Sequence, residues 1–426
     1  MTHHLDAHFP RFNGPTKMPC WCITPGDGDF IHRFFDTSAV SPSGRYVAVF
    51  RLPFVDRPPV PGEKGAVHLI DLHTGTNELL AETFGWEPQM GANINWGADD
   101  HALFFNDCDQ QTWKPFAWKM DPLRKTKIRM DGPVYHASPD GRWLIAANMT
   151  SMQRTQPGYG VMVPDEKIRR NIGAPEDDGF LLTDTATGKT KLLPLSDLVK
   201  RGRAAGLKMS EEEEARSEIY GFHSKFNPQS DCMMLSLRWF PNAGHARKNL
   251  FKLDGGSVRF TWLTLPVDAS EIHCPVGPEE WEKGGHHATF YPDGKEISMN
   301  LNIDRDVLRF VRVNNDGSGY RKISEKLIGS GHPTVHPDGV HILSDSYLGE
   351  FCSNTAAGTV PLRWCDLRDD TETSLLDIRI FQDSGFGELR CDPHPAWDRS
   401  WRYVVFNGIP DGKRRVFLAD MEALVG

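Results

Sequence analysis

Long hydrophobic runs are missing from this sequence of 426 residues. No stretch approaches the roughly 18 consecutive apolar residues that a membrane-spanning helix needs. Residues 1–15 contain no basic segment followed by an apolar one, which is the pattern of a secretory signal. We therefore expect the chain as given to act in the cytoplasm, and in the periplasm or outside the cell only if a leader preceded it.

Paired cysteine motifs and an excess of positive charge are also missing. The eight cysteines are scattered without a CxxC module, which favours reduced thiols over a disulfide framework. The net charge of -9 argues against nucleic acid or an anionic membrane as the partner. An acidic substrate stays open, because a local cationic pocket can lie on an acidic protein.

A short turn followed by an apolar strand is what the sequence does contain, seven times over. Proline sets the backbone angle of the turn, Asp or Ser bonds locally, and Gly takes the positive φ. The strand that follows is rich in β-branched and aromatic residues. The copies are SPSGRYVAVF (41–50), WGADDHALFF (96–105), SPDGRWLIAA (138–147), NPQSDCMMLSL (227–237), YPDGKEISMNL (291–301), HPDGVHILSD (336–345) and WDRSWRYVVF (397–406).

A second strand that ends in another turn follows each copy. The seven units are 67–75, 116–123, 180–188, 250–257, 308–317, 362–370 and 416–424. Seven such pairs predict an all-β fold, a seven-bladed β-propeller with four short strands in each blade, spanning residues 1–426 as one domain. Two β-sandwich domains are the alternative, but they need a linker and none is evident. Because a closed propeller has no free sheet edge, we expect a monomer.

An insertion over about 155–218 separates the third copy from the fourth. Residues 155–179 are typical of a long irregular loop, and 196–218 of a charged helix that begins at Ser196 or Asp197. Loops of this length are commonly functional or disordered. The helix is either a solvated surface element or one wall of a cleft.

Four histidines occupy the same position in four consecutive repeats, five residues before the proline of the turn or its equivalent. The seven residues at that position are Thr37, Asn93, Val134, His223, His287, His332 and His394. Because propeller blades are arranged radially, equivalent positions form an arc around the central axis. We therefore expect the four imidazoles to converge near one mouth of the channel, where a functional site is favoured over a structural ring of hydrogen bonds.

A thiol and a carboxylate stand close to the last of these histidines. Cys391 and Asp392 precede His394, and such a set of ligands suits Zn²⁺ or Mn²⁺. The preferred ligand set is His332 and His394 with Cys391 or Asp392. Arg238 lies on the strand after His223, where its charge suits an anionic group such as a carboxylate; a salt bridge at the surface or between blades is the alternative.

Three other positions are candidates for the site. His136 lies two residues later than the register, so strand alternation places it on the same face as Val134. Tyr159, in the inserted loop, either leans over the mouth of the channel or packs within the loop. His32 and Arg33 belong to the segment HRFFDT, which either lines a sugar site or seals the first blade against the last.

Several blocks of the sequence resemble known propeller lyases. They are GHHATFYPDGK, GSGHPTVHPDG, RCDPHPAWDRSWRYVVFNGIPDGKR, HRFFDTSAVSPSGRYVAVFR and GANINWG. The first three resemble the oligogalacturonate lyases. With the last two, the chain looks closer still to the ulvan lyases and their relatives, which include rhamnosyl-glucuronate lyases and a rhamnosidase. The resemblance covers nearly the whole chain and is more specific for the superfamily than for the substrate.

The resemblance implies cleavage of a uronic acid by β-elimination. It implies Arg238 as the group that neutralises the carboxylate, and His136, His223 or Tyr159 as base and acid. It also implies a metal held by His332, by Cys391 or Asp392, and by His394, with His287 either a ligand or a substrate contact. Where many relatives read His-Tyr-Thr-Trp, residues 287–290 of this chain read His-Ala-Thr-Phe, which lacks the aromatic hydroxyl.

We therefore expect a lyase that acts on a glucuronate- or iduronate-type glycan, as a short oligosaccharide or a polysaccharide. The first alternative is a glycoside hydrolase of the same fold that acts on rhamnosyl-glucuronate through His32 and Arg238. No obvious pair of carboxylates supports an ordinary hydrolase. The second alternative is a propeller that binds sugar or protein without catalysis.

Overall fold

Seven four-stranded antiparallel sheets form the fold, as the repeat predicts. In this computed structural model the described residues are 3–241, 258–304, 307–380 and 389–425. The seven-bladed β-propeller is therefore confirmed. The second unit predicted at 250–257 lies outside the described residues.

The strands follow the chain blade by blade, and the first strand of each blade lies against the central channel. Strand β1 is Cys20–Cys22. Blade 1 contains β2 (Asp29–Ile31), β3 (Tyr46–Leu52), β4 (Gly65–Asp71) and β5 (Asn77–Thr83). Blade 2 contains β6 (Asn95–Trp96), β7 (Leu103–Cys108), β8 (Pro115–Asp121) and β9 (Thr126–Arg129). Blade 3 contains β10 (His136–Ala137), β11 (Trp143–Ala147), β12 (Gly179–Asp184) and β13 (Thr190–Pro194).

The remaining blades repeat this order, with one exception in the last. Blade 4 contains β14 (Ser217–Phe226), β15 (Cys232–Pro241), β16 (Arg259–Pro266) and β17 (His273–Val276). Blade 5 contains β18 (Gly285–Phe290), β19 (Glu296–Asn302), β20 (Leu308–Asn314) and β21 (Arg321–Lys322). Blade 6 contains β22 (Thr334–Val335), β23 (His341–Ser344), β24 (Thr359–Asp366) and β25 (Thr371–Arg379). Blade 7 contains β26 (Ala396–Trp397), β27 (Tyr403–Gly408) and β28 (Arg415–Asp420).

The N-terminal strand supplies the missing fourth strand of blade 7. Strand β1 pairs antiparallel with β28, and Trp21 lies opposite Leu418. The first strand of the chain thus joins the last blade and closes the circle, which leaves the ring without an open junction.

Apolar side chains on the faces of neighbouring blades form the core. Between blades 3 and 4, for example, Phe180 and Ile145 pack with Leu235 and Leu263, and all four are less than 1 % exposed. The alternation along each strand that marks a half-buried sheet is weak here, because both faces of a blade are covered by neighbours. The inner strands are thereby held at fixed positions around the channel.

The inserted region is divided rather than continuous. Residues 148–178 lie within blade 3, between β11 and β12, and contain helix α1 (Met152–Thr155) and a 3-10 turn (Asp165–Lys167). Helices α2 (Leu195–Ala204) and α3 (Glu211–Arg216) join blade 3 to blade 4. The single helix predicted over 196–218 is interrupted at Gly206, whose φ of 102° no helix accommodates.

The predicted helix cap also differs from the structure. Helix α2 begins after Pro194 without a side-chain cap, while Ser210 caps α3 by accepting a hydrogen bond from the backbone N–H of Glu213. The other short helices are a 3-10 turn (His4–Ala7), α4 (Pro278–Trp281) and α5 (Glu422–Val425). No helix in the described ranges is long and apolar enough to cross a membrane, and all eight cysteines are free.

Candidate functional site

The ring of Phe34 lies at the centre of the four histidines that share one position in the repeat. Its centroid is 5.6 Å from the ring of His223, 6.2 Å from His287, 5.6 Å from His332 and 4.6 Å from His394. The structure therefore brings the four imidazoles of blades 4 to 7 together around one aromatic ring. We call this end of the channel, where the inner strands begin, the histidine side.

Phe34 lies there because residues 32–38 continue inward from β2 and fill the channel. Arg33 donates to the carboxylate of Asp36 at 2.8 Å and to the backbone carbonyl of Tyr135 at 2.5 Å. The ammonium group of Lys225 lies 2.8 Å from the same carboxylate. These buried ion pairs fix the segment, so the cation of Arg33 is committed to internal partners.

His32 is likewise inside the channel rather than at a surface open to sugar. It is 1 % exposed, and its Nε2 lies 3.3 Å from the carbonyl oxygen of Pro393. Neither His32 nor Arg33 lines the pockets described below. His32 and Arg33 thus pack blade 1 against its neighbours, whereas Phe35, Asp36 and Thr37 of the same segment line a pocket described below.

His332, Asp392 and His394 form a group with the composition of a metal site. One ligand atom from each lies within 4.8 Å of the others, and all three residues are buried. The Nδ1–H of His332 donates to Asp345 at 2.9 Å, which leaves the lone pair of Nε2 available. Neither ring nitrogen of His394 has a hydrogen-bond partner among the described residues.

The protonation states of this group also suit a cation. Burial, reinforced by the neighbouring His332, lowers the pKa of His394 well below its ordinary value, so the imidazole is neutral and can donate a lone pair. Asp345 accepts hydrogen bonds from the backbone N–H groups of His332 at 2.7 Å and His394 at 3.3 Å. A carboxylate that orients ligand histidines in this way is common around bound metals. The residues present therefore fit a divalent metal.

The backbone at the shared position is unusual. His287 has a φ of 58°, His394 of 50° and Asn93 of 51°, all in the left-handed region that non-glycine residues seldom adopt. Strain of this kind persists where the surrounding structure imposes it, and it is common at functional sites. Three of the seven equivalent positions share this conformation. The direction in which the side chains point at these positions therefore depends on the backbone conformation as well as on the residue type.

Cys391 does not join the metal-type group, although it is next to Asp392. Its thiol is 4 % exposed, and it is not among the ligand atoms that lie within 4.8 Å of one another, which come from His332, Asp392 and His394. Of the two alternatives left open by the sequence, Asp392 is the residue that points toward the histidines. The reason is the geometry of adjacent residues in an extended segment, whose side chains face opposite directions.

Replacing Cys391 with alanine is therefore expected to leave metal binding intact. The metal content per chain should equal that of the parent protein, and the free energy of unfolding should fall by only about 1 kcal/mol, as for a typical core truncation. Metal analysis together with urea unfolding tests both statements. Loss of the metal in this variant would show that the thiol is a ligand.

A pocket of about 730 Å³ opens on the histidine side. Its lining residues are Gln156, Tyr159, Phe222, His223, Lys225, Ser236, Arg238, Val258, Phe260, Trp262, Trp281, Glu282, Gly284, Gly285, His286, His287, Tyr347 and Arg390. The volume is within the range of small-molecule sites, and aromatic walls with a few polar groups are typical of them. We call it the histidine-side pocket.

Arg238 is a half-buried cation in this pocket, without a carboxylate partner among the described residues. Its guanidinium donates to Gln156 at 2.7 Å and lies 3.6 Å from the centre of the Phe222 ring. Its Nε has no hydrogen-bond partner in that part of the chain. Burial lowers its pKa to about 10, which still leaves it charged at neutral pH. A half-buried charge without an opposite charge beside it favours binding of a group of the opposite sign.

His223 and Tyr159 lie beside Arg238 with complementary protonation. Burial, and then the charge of Arg238, lower the pKa of His223 well below its ordinary value, so its ring is neutral. Its Nε2 has no hydrogen-bond partner among the described residues. Burial raises the pKa of Tyr159, so its phenol keeps its proton. The two rings are 5.4 Å apart, which places a neutral base and a protonated acid in the same pocket.

The loop that carries Tyr159 is held by Glu87, which lies in the connection between blades 1 and 2. Gly158 and Gly160 have φ values of 85° and 87°, which let the chain turn sharply on both sides of the tyrosine. The backbone N–H of Gly160 donates to the buried carboxylate of Glu87. Tyr159 is 3 % exposed and packs with Met152 and Val161 of the same loop, and it also lines the histidine-side pocket.

Two residues of the pocket, Arg390 and Tyr347, were not assigned a functional role from the sequence. Arg390 donates to Asp392 at 2.8 Å and to the hydroxyl of Tyr159 at 3.3 Å, so it connects the metal-type group with the pocket. The hydroxyl of Tyr347 lies 3.2 Å from Nε2 of His287 and 3.5 Å from Nε2 of His332. The block RCDPHPAW contained a signal for Arg390, whereas Tyr347 lies in a loop that the repeat does not align.

His287 contacts this tyrosine and also His332, whose ring centroid lies 4.0 Å from its own, although His287 is not one of the three residues of the metal-type group. Its Nδ1–H donates to the carbonyl of Gly331 at 2.7 Å, so Nε2 accepts from the hydroxyl of Tyr347. An aromatic hydroxyl thus stands beside His287 even though residue 288 is alanine. His287 lines the histidine-side pocket, where it is placed to contact a substrate.

His136 lies at the other end of the channel. Two residues along a strand correspond to about 6.6 Å, and this distance carries the imidazole past the plug formed by Phe34 and Phe35. Its Nδ1 accepts from the backbone N–H of Phe226 at 3.3 Å, and it lines a separate pocket. The expectation that His136 shares a mouth with His223 therefore differs from the structure.

Replacing His136 with glutamine is expected to reduce the pH dependence of stability. Burial lowers the pKa of His136 to about 4, whereas an unfolded chain has a value near 6.5. Between these pH values the unfolded state binds a proton that the folded state does not. Stability should therefore fall as the pH drops through this window, by about 1.4 kcal/mol per pH unit for this residue. Urea unfolding from pH 7 to pH 4 measures the slope.

The exposed residue His73 provides the control for that experiment. Replacing His73 with glutamine removes one histidine without altering a buried group. If the slope of the His136→Gln variant equals that of the His73→Gln variant, His136 does not contribute to the acid sensitivity of the fold.

Comparison with known proteins finds likeness in structure but not in sequence family. No protein-family model and no curated protein sequence matches the chain. The oligogalacturonate lyase of Vibrio parahaemolyticus is similar over 97 % of this chain and 96 % of its own, with a TM-score of 0.61 and 14 % identity. An oligogalacturonate lyase in complex with manganese gives the same coverage and identity, with a TM-score of 0.60.

A propeller of different function is also similar. The β-propeller domain of the Trilobed protease from Pyrococcus furiosus matches 92 % of this chain and 96 % of its own, with a TM-score of 0.50 and 10 % identity. At these identities the likeness establishes the seven-bladed fold. A shared fold does not determine the reaction, which depends on the residues of this chain.

Proposed function

We propose that this protein is a lyase that cleaves uronate-containing oligosaccharides by β-elimination. The observation that carries the proposal is the half-buried cation of Arg238, which lacks a carboxylate partner among the described residues and shares a pocket with a neutral histidine and a protonated tyrosine. These are the groups that elimination next to a carboxylate requires. The structural likeness to oligogalacturonate lyases supports the same class.

The reaction begins with recognition of the uronate carboxylate by Arg238. Pairing with the guanidinium reduces the negative charge of the carboxylate, which makes the proton on the adjacent carbon more acidic. The unpartnered Nε2 of His223 then removes that proton. The C–H electron pair forms a carbon–carbon double bond as the glycosidic C–O bond to the leaving sugar breaks.

Tyr159 completes the reaction by protonating the departing oxygen. Arg390 donates to the hydroxyl of Tyr159 at 3.3 Å and stabilises the phenolate that remains after proton transfer. The phenolate then recovers a proton from water or from His223. At neutral pH His223 can accept a proton and Tyr159 can donate one. The proton removed from the substrate is therefore matched by the proton given to the leaving oxygen.

His332, Asp392 and His394 would hold a divalent metal at the edge of this pocket. A bound cation would supply positive charge that stabilises the carboxylate and the additional negative charge that builds up on it during elimination. Asp392 is also the partner of Arg390, so the metal-type group and the catalytic pocket share a residue pair. Mn²⁺ and Zn²⁺ both accept two imidazoles and a carboxylate.

The substrate that we propose is a glucuronate- or iduronate-type oligosaccharide, with oligogalacturonate and ulvan fragments as the first to test. Aromatic side chains of Trp262, Phe260 and Trp281 wall the pocket and suit the apolar faces of sugar rings. Its volume of about 730 Å³ suits a short oligosaccharide better than the middle of a long polymer.

One assay distinguishes elimination from hydrolysis and from binding alone. The protein is incubated with ulvan oligosaccharides, oligogalacturonate and a rhamnosyl-glucuronate glycan, and ultraviolet absorbance and new reducing ends are both followed. A lyase produces an unsaturated uronate that absorbs, a hydrolase produces reducing ends alone, and a binding protein produces neither. Reducing ends without absorbance on every substrate would overturn the proposal.

Conventional glycoside hydrolysis is disfavoured by the composition of the pocket. Hydrolases of that kind use two carboxylates across the scissile bond, whereas Glu282 is the only carboxylate among the described residues that line the histidine-side pocket. A hydrolase that works through His32 is disfavoured as well, because His32 is enclosed in the channel.

A further inference from the structure

A second pocket, of about 360 Å³, lies at the opposite mouth of the channel. The ends of the inner strands and their turns form it, with Phe35 and Asp36 as its floor. Among the lining residues described, Lys225 alone is shared with the histidine-side pocket. The Phe34–Phe35 plug therefore separates two sites on one axis, and we call the second one the turn-side pocket.

Two uncharged polar groups in the wall of the turn-side pocket lack hydrogen-bond partners. They are Nε1 of Trp397 and Oγ1 of Thr334, which have no partner among the described residues. Trp397 is 6 % exposed and Thr334 is 8 % exposed. Buried polar groups in folded proteins are nearly always paired. An acceptor atom of a ligand in the pocket would therefore provide the missing hydrogen-bond partner of each group.

The charges around the pocket leave one positive charge in excess. The carboxylate of Asp36 is shared by Lys225 and Arg33, each at 2.8 Å. These two cations outweigh the effect of burial and hold the pKa of Asp36 well below its ordinary range, so it is ionised. Burial keeps His136 neutral at physiological pH, since its pKa is lowered to about 4.

The other two charged residues of the wall offset each other. Arg399 reaches from blade 7 to the backbone carbonyls of Trp96, Gly97 and Pro139, in blades 2 and 3. Asp398 accepts hydrogen bonds from its own turn, including the backbone N–H of Tyr403 at 2.8 Å. The excess charge therefore comes from the Arg33–Asp36–Lys225 cluster, and it matches a ligand with a single carboxylate.

Aromatic rings define the shape of the space that remains. Phe226, Phe290 and Trp401 line the pocket beside Trp397, whose ring is 5.7 Å from that of Trp401. The volume is near the lower end of small-molecule sites. It accommodates one ring-sized molecule with an apolar face and several oxygen acceptors, rather than an oligosaccharide.

We propose that the turn-side pocket binds a small ring-shaped monocarboxylate, of which a monomeric sugar acid is the type. The carboxylate lies toward the excess charge at Lys225, a hydroxyl or ring oxygen accepts from Nε1 of Trp397, and the ring packs on the aromatic wall. This site is distinct from the one proposed for catalysis, and binding to it does not depend on turnover.

Titration calorimetry of the full chain with sodium glucuronate tests the proposal, with glucose as the uncharged counterpart. A monosaccharide has no glycosidic bond, so no reaction interferes. We expect glucuronate to bind at least about tenfold more tightly than glucose. The Trp397→Phe variant keeps the ring and loses the N–H, and it should bind glucuronate about tenfold more weakly.

Variants at the two mouths decide which pocket is occupied. Thr334→Val repeats the test at the second unpartnered group, and circular dichroism confirms that both variants are folded. Trp281→Phe makes the same exchange in the histidine-side pocket and should leave turn-side binding unchanged. If both pockets bind glucuronate, Arg238→Gln should remove one site and leave the other.

Two results with the variants would overturn the proposal. One is equal binding of glucuronate to the parent and to the Trp397→Phe and Thr334→Val variants, and the other is binding that disappears entirely with Arg238→Gln. An absence of binding to the parent protein at millimolar glucuronate would overturn it too. None of these outcomes bears on the lyase assay, which follows cleavage of oligosaccharides at the other mouth.

Discussion

Replacing Arg238 with glutamine is expected to lower kcat/KM for the elimination reaction by about 10² to 10³-fold, which is the cost of removing one group that stabilises developing charge. Glutamine keeps the hydrogen-bonding capacity toward Gln156 but cannot neutralise a carboxylate. The loss should be mainly in kcat, because charge on the carboxylate group increases as the adjacent proton is removed. Initial rates from ultraviolet absorbance over a range of substrate concentrations measure it.

Arg312 offers the matched control for this experiment. It is an arginine of blade 5 that pairs with Glu296 at 3.1 Å and does not line the histidine-side pocket. The Arg312→Gln variant should keep the parental rate. If Arg238→Gln retained that rate as well, the central role given to the unpaired cation would be wrong.

Replacing His394 with alanine is expected to abolish stable retention of a divalent metal. Loss of one of three protein ligands should weaken Mn²⁺ or Zn²⁺ binding by more than about 10²-fold, because even the loss of a residue that orients a ligand costs about 10- to 100-fold. Metal analysis after dialysis, and the increase in melting temperature on adding Mn²⁺, measure the effect without reference to activity.

Two further variants make the metal experiment selective. Asp345→Asn removes the carboxylate that orients His332 and should weaken binding by the smaller factor of about 10 to 100. His336→Ala removes another buried histidine of blade 6 that lies outside the metal-type group, and it should leave metal content unchanged. Equal metal content in the parent and in His394→Ala would contradict the assignment.

The repeat made the fold predictable, because each copy carried its own turn and strand. Proline, aspartate or serine, and glycine determine a tight turn locally, and the apolar run after them can only be a buried strand. Seven such units close into a propeller. The closure of the ring by β1, however, could not be predicted from the sequence. Residues 20–22 carry no turn signal, and they pair with a strand almost 400 residues away in sequence.

The shared position of the four histidines was predictable for the same reason. Equivalent residues in radial blades lie at similar distances from the axis, so residues at the same position of the repeat lie close together around the channel. The position of His136 along the channel was not predictable in this way. A shift of two residues keeps the same face of the strand but moves the side chain along the channel, and the position of the plug decides which mouth it reaches.

The plug itself, and the loops above it, were decided by tertiary structure. Nothing in the segment HRFFDT indicates that Phe34 occupies the centre of the histidines, because that depends on the ion pair of Asp36 with Lys225 of blade 4 as well as on its pair with Arg33 inside the segment. Arg390 and Tyr347 reach the pocket from loops that the repeat does not align.

By itself, the sequence determined the seven blades and which four of them carry histidine, because both follow from local periodicity. Only the tertiary structure decided that Asp392 rather than Cys391 faces those histidines and that Arg238 lacks a carboxylate partner among the described residues. It also decided that a second pocket lies beyond the plug. These are distances between side chains from separate blades and loops, and no local pattern encodes them.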